Sequence, residues 1–215
     1  HSVSLHLLPG SVTAVYGDNH RALNTLIQIT ALRQTKGYLE GCIYYDTLSR
    51  HAGLYRDIAY VPSQDDGNYH FDKLRVFETL YFAVRLRTQQ SEVECRERAR
   101  ELAKFVGLDG SSFVGQLNTM EKKILSIACE VIGNPVLLCL QFPTEGMDAA
   151  GAVSICRLLY KLAKRSPSLT VLYSLSPPSA EMLQFTDEFA ILLESGIAYS
   201  GVPLHPKLDS STHDS

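Results

Sequence analysis

A chain of 215 residues, 45% hydrophobic and 20% charged, is long enough to bury a substantial core and has the size of one α/β domain. Its formal net charge of -3 leaves no electrostatic case for nucleic acid, and seven scattered histidines with no i, i+3 or i, i+4 pair argue against a metal site. No apolar run approaches the ~20 residues that span a bilayer, and no signal-peptide pattern opens the chain.

The chain begins inside a strand-like run, HSVSLHLL, without an initiator Met, and closes in the polar KLDSSTHDS, so it is expected to be a piece of a longer protein. Residues 3–8 and 12–16 read as two strands around the turn Pro9-Gly10. The loop GDNHRALNT follows from Gly17, and an apolar helix over about residues 23–32 follows the loop. Strand, loop, helix is the context of a phosphate-binding loop. His20 and Arg21 are expected to point to solvent. Alternation at Leu39, Cys42, Tyr44 and Tyr45 suggests strand within residues 37–58.

Residues 76–87 read as a helix. Residues 91–108 form a second, amphipathic one, with Ser91 and Glu94 as a capping box, a stripe of Cys95, Ala99, Leu102, Ala103 and Val106, and Gly107 at its end. The charge run ECRERARE is a solvated face with local ion pairs. Asn118 and Glu121 form another capping box, ahead of Ile124, Leu125, Ala128, Val131 and Ile132 at helical spacing. Gly133 and Pro135 are expected to close that helix, with Gly133 taking the left-handed exit. Residues 136–140 are a continuous apolar run, suited to a strand covered on both faces. After Asp148 come a long helix (AAGAVSICRLLYKLAKR), the strand LTVLYSL, a short helix near 180–185 and the strands of EFAILLESGIAYSG. Strands alternating with helices call for a parallel core. The cysteines Cys42, Cys95, Cys129, Cys139 and Cys156 lack CxxC spacing and are expected as reduced thiols.

The stretch KKILSIACEVIGNP followed by LLCLQFPTEGMD resembles the signature-to-D-loop segment of ATP-binding-cassette (ABC) transporter ATPases, most closely the G subfamily of white/pigment and sterol half-transporters. IAYVPSQDD is similar to that family's Q-loop entry, RVFETLYFAVRLR to the helix after it, and the resemblance runs from about residue 3 to 203. It implies an α/β fold with a P-loop-NTPase-like parallel core sheet flanked by helices, an antiparallel β subdomain and a helical subdomain over about residues 75–132. Residues 1–205 would form the cassette, and 206–215 a polar tail or linker.

The framework is present where the chemistry-bearing letters differ. Against G-x-x-x-x-G-K-[ST], Gly17 is retained, Ala22 and Leu23 stand at the second Gly and the Lys, Asn24 at the Mg²⁺ hydroxyl, and Thr25 at a second hydroxyl position. Asn118, Thr119 and Met120 replace the signature Ser-Gly-Gly, Gln141 and Phe142 replace the Walker B Asp and catalytic Glu, and Ser176 stands at the His that meets the γ-phosphate. Pro143, Gly146 and Asp148 are kept.

Gly17, Asn24, Thr25 and Gln64 are therefore the candidate residues of a degenerate nucleotide site, with no catalytic and no metal residue assigned. Each lost group would have made a charge-assisted contact of ~1.5 to 3 kcal/mol, so losing three lowers nucleotide affinity by roughly 10³ to 10⁶. No cofactor is expected to bind tightly, and ATP with Mg²⁺ only weakly. The implied function is a catalytically degenerate nucleotide-binding domain with little or no ATP hydrolysis, at the cytosolic face of a membrane, packed on the transporter's membrane domain and on a second nucleotide-binding domain. The alternatives are a stand-alone scaffold or regulatory module, and an active ATPase with non-standard motifs.

Overall fold

The structure is a computed structural model and describes residues 3–34, 37–45, 54–63, 70–165 and 169–203. Among the described residues, six strands form one sheet in the order β2-β3-β4-β1-β5-β6: β1 (Val12–Gly17), β2 (Ile58–Val61), β3 (Leu137–Leu140), β4 (Thr170–Leu175), β5 (Glu188–Leu193) and β6 (Gly196–Gly201). All neighbours are parallel except β5 and β6, whose antiparallel pairing is closed by a tight turn. The helices are α1 (His20–Thr30), α2 (Leu54–Asp57), α3 (Val76–Arg87), α4 (Glu92–Val106), α5 (Thr119–Val131), α6 (Ala149–Arg165) and α7 (Ala180–Leu183).

The period-2 side-chain alternation of the strands divides the interior into two layers. Val12, Ala14, Leu138, Leu140, Val171, Tyr173 and Leu175 point into a large core shared with α3, α4, α5 and α6. Val15, Leu137, Cys139, Leu172 and Ala190 point to the other face and pack with Leu23 and Ile27 of α1. Both faces are covered, which is why β3 reads as an unbroken apolar run. Each fully buried Leu or Ile contributes about 1.5–3 kcal/mol through its apolar area.

The helix boundaries follow their caps. The α4 and α5 capping boxes form as the sequence predicts: Ser91 with Glu94, and Asn118 with Glu121. Gly107 takes the left-handed exit of α4 at φ 78°. The exit after α5 differs from expectation, since Asn134, not Gly133, is the left-handed residue (φ 52°). Arg98 stabilises that turn by donating to Ile132 O and Asn134 Oδ1, both at 2.6 Å.

Two strand expectations are not met. Residues 3–8 are extended but unpaired; Leu5 and Leu7 turn inward against the α1-side core, so alternation here marks a covering segment without a ladder. Residues 37–45 hold no strand: Tyr38 and Tyr44 lie out in solvent, and Tyr45 is anchored by its hydroxyl to Thr30 O at 2.7 Å. Residues 46–53 fall outside the described part. Among the described residues no helix is long and apolar enough to cross a membrane.

Candidate functional site

Because β1, β2, β3 and β4 run parallel, their carboxyl ends gather at one edge, the usual place for a ligand crevice in such sheets. Gly17 ends β1 there. A Cβ on it would lie 2.3 Å from Leu192 O, so glycine is required by the close approach of β5 regardless of any ligand.

The loop after Gly17 closes on itself. Asn19 Oδ1 accepts from Ala22 N at 3.1 Å and caps α1, which starts α1 at His20 rather than near residue 23. Leu23 is fully buried in the α1-side core. Asn24 meets the β3 exit through its backbone carbonyl, and its Oδ1 is buried with no hydrogen-bond partner among the described residues. Thr25 stays on the outer surface, where its hydroxyl donates to Arg21 O at 2.8 Å, so it does not join Asn24. Gln64 lies outside the described residues.

At the β3 exit, Gln141 is 1% exposed. Its Nε2 donates to Asn24 O at 3.3 Å and its Oε1 accepts from Ser63 N at 3.4 Å. Phe142 follows in a left-handed conformation, φ 39°, buried, with its N–H donating to the buried Ser174 Oγ at 3.0 Å. The His20 ring lies on the Phe142 ring, centroids 4.4 Å apart and planes 17° apart. His20 is solvent-exposed as the sequence suggests, yet one ring face is engaged. Neither the stack nor the Ser174 contact has a sequence signal, because both depend on strands brought together by the fold.

The signature-like positions sit apart from this cluster. Asn118 Oδ1 accepts from Glu121 N at 2.9 Å and Glu121 Oε2 from Asn118 N at 2.9 Å, so both are used in capping α5. Met120 packs on the large core and approaches Gly151 at the start of α6. Asp148 caps α6 by accepting from Gly151 N at 2.8 Å.

The second feature is a groove of about 1230 Å³ between α3, α5 and the end of β2. Phe71, Phe82 and Leu86 line it and are 77%, 50% and 86% exposed, an apolar concentration uncommon on a monomer's surface. Arg87 and Glu130 tie its α3 and α5 walls together through a two-pronged ion pair. Lys123 is buried and donates from Nζ to Pro62 O at 3.0 Å. His70 Nε2 lies 2.8 Å from Ser126 Oγ, whose hydroxyl donates to Lys122 O at 3.0 Å. Burial first, then the charges of Lys122 and Lys123, lower the His70 pKa below its ordinary value.

The five cysteines are unpaired. Burial pushes the thiols of Cys129 and Cys156 up to about 12 and about 11, which leaves them poor nucleophiles near neutrality.

No protein-family model matches the chain. Named relatives include the ABC transporter G family member STR2 of Medicago truncatula, 30% identical over 210 residues that make up 94% of this chain and 28% of the relative. The ABC-type transporter eriD of Hericium erinaceus is 32% identical over 201 residues, 87% of this chain and 13% of the relative. The chain belongs to the ATP-binding-cassette nucleotide-binding domains of G-type transporters. This ABC domain shares its fold with cbiO1 from Clostridium perfringens, part of the ABC transporter complex cbiONQ: TM-score 0.78 at 23% identity, over 93% of this chain and 80% of that one. It likewise matches the ATP-binding cassette MJ0796, solved as a dimer bound to ADP and Pi, with TM-score 0.72 at 21% identity. The ABC domain thus spans about an eighth to a quarter of the length of these transporter relatives and most of the cassettes.

Proposed function

We propose that this chain is a catalytically degenerate nucleotide-binding domain of a G-type ABC transporter, retained to pack against a membrane domain and a partner cassette with little or no ATP hydrolysis of its own. One observation carries the reading: the positions that would hold Mg-ATP are filled by contacts internal to the fold. Leu23 is core, Asn19 occupies the Ala22 N–H at the head of α1, and Gln141 bridges two main-chain groups. Phe142 is locked between Ser174 and His20.

The residues present do not fit a magnesium triphosphate. Leu23, Gln141 and Phe142 offer neither an ammonium to the negative triphosphate nor a carboxylate to the metal, and Asn24 Oδ1 is a buried acceptor with no partner among the described residues. Phe142 neither accepts a proton nor orients water, assistance worth ~10² to 10⁴ in rate where a base is present. Asn118 and Asp148, at the signature and D-loop positions, are both used as helix caps within the chain.

The α3/α5 groove is the face proposed for the membrane domain, in line with relatives named as transporters and, for PDR18 of Saccharomyces cerevisiae, as an ATP-binding protein/permease. Residues 1–205 would act as the cassette, with residues 75–132 as its helical part, at the cytosolic side of the bilayer. The test is calorimetric titration with Mg-ATP together with phosphate release from the purified chain. No heat at micromolar nucleotide and no release above blank are expected; hydrolysis that is abolished by changing Asn24 would overturn the proposal.

A further inference from the structure

A carboxamide carries both N–H donors and an acceptor oxygen on a single group. Gln141 uses both: the donor on Asn24 O of α1, the acceptor on Ser63 N–H just past β2. Its own backbone N–H donates to Val61 O at 2.9 Å, so residue 141 holds the β2 exit through main chain and side chain alike. From the other side, Lys123 of α5 holds Pro62 O. Pro62 and Ser63 are also a wall of the α3/α5 groove. That wall is therefore tied to α1 and α5 by side chains of the chain itself. A carboxylate at position 141 would instead confront the Asn24 carbonyl with a second acceptor and would need a cation between them.

We infer that Gln141 is a latch that fixes the Pro62–Ser63 wall of the groove in one position, so that the shape offered to a docking partner is set without nucleotide. The latch is a property of the chain alone; only its consequence for docking rests on the proposed function. A partner seated in the groove would meet the same wall whether or not Mg-ATP is supplied.

The experiment is ¹⁵N NMR with amide hydrogen exchange on the whole 215-residue chain, following Ser63 N–H and the Gln141 side-chain NH₂. In the wild type Ser63 should be protected, and millimolar Mg-ATP should leave its shift and exchange rate unchanged. Gln141→Leu removes both bonds and should speed Ser63 exchange by roughly 2- to 10-fold, the range that one hydrogen bond of ordinary strength supports. Gln141→Glu, of nearly the same volume, retains the acceptor and should keep Ser63 more protected than Gln141→Leu does. Free-chain exchange at Ser63 in the wild type, a Ser63 shift that follows Mg-ATP, or unchanged protection in a folded Gln141→Leu variant would each overturn the latch. The two wild-type measurements decide the question even if the variants fail to fold. ATP hydrolysis would refute the degenerate reading without touching the Ser63 result, so the two failures are distinguishable.

Discussion

His20 lies face to face with Phe142, 4.4 Å between ring centroids, across the mouth of the crevice where four parallel strands end. Phe142 sits under that cover in a left-handed backbone that a branched or bulky side chain adopts only when its surroundings enforce it. The enforcement comes from the Ser174 Oγ below and the imidazole above.

Removing the two rings should have unequal effects. Phe142→Ala deletes a buried ring and should lower unfolding free energy by about 3 kcal/mol, whereas His20→Ala removes an exposed stacking partner and should lower it by about 0.5–1 kcal/mol. Urea melts with unchanged m-values would measure both. Equal losses would show that the stack, not the buried ring, is the main contributor.

Restoring the missing cation alone should not restore nucleotide binding. Leu23→Lys places an ammonium at a fully buried position in the apolar cluster that also holds Val15, Ile27, Cys139 and Phe142. The expected outcome is a loss of several kcal/mol of stability with no Mg-ATP heat, read by urea denaturation and calorimetry. A Leu23→Lys variant that keeps wild-type stability and binds Mg-ATP at micromolar concentration would mean the loop reopens easily.

This pair explains how much was legible beforehand. The core elements, the capping boxes at Ser91 and Asn118 and the parallel sheet were readable, because each is encoded within a dozen residues by spacing and cap chemistry. The substitutions at Leu23, Gln141 and Phe142 were visible as letters, but not their new partners. Ser174 is 32 residues from Phe142 and Asn24 is 117 from Gln141, so those contacts exist only once strand order is set. The strand expectation at residues 3–8 failed because alternation reports one-sided burial and is silent on whether a ladder partner exists. The expected glycine exit of α5 failed because Arg98, from another helix, stabilises Asn134 in that conformation instead.

A pH effect should arise from His70. Its folded-state pKa is lowered, by burial and by Lys122 and Lys123, below the ordinary 6.5. Folding therefore favours the neutral ring: the contribution is fully present above the unfolded-state value and is lost as pH falls through it toward the folded-state value. Asp72, 4.0 Å from Lys122, moderates the repulsion on the same side. His70→Gln keeps a hydrogen-bonding group for Ser126 without the titration, so its stability should fall less than that of the wild type between pH 7.5 and pH 5.5. Urea midpoints at the two pH values, with an NMR titration of the His70 ring, check this. A ring that titrates above 6.5 would reverse the sign.

The groove surface gives the prediction on which the docking role depends. Phe82 and Leu86 are one helical turn apart on α3 and project into solvent, so burial inside the chain does not account for either. Phe82→Ser and Leu86→Ser should each change the stability of the isolated chain by no more than about 0.5 kcal/mol, as surface substitutions do. In the transporter proposed above, the same pair of changes should weaken cross-linking between a cysteine placed at Thr79, on the groove wall, and the proposed membrane domain. A structural role alone would give the opposite division: lower stability of the isolated chain and intact cross-linking. If both stability and cross-linking stay at wild-type levels, the groove is not the docking face, since an apolar surface that can be removed without effect on either contributes to neither.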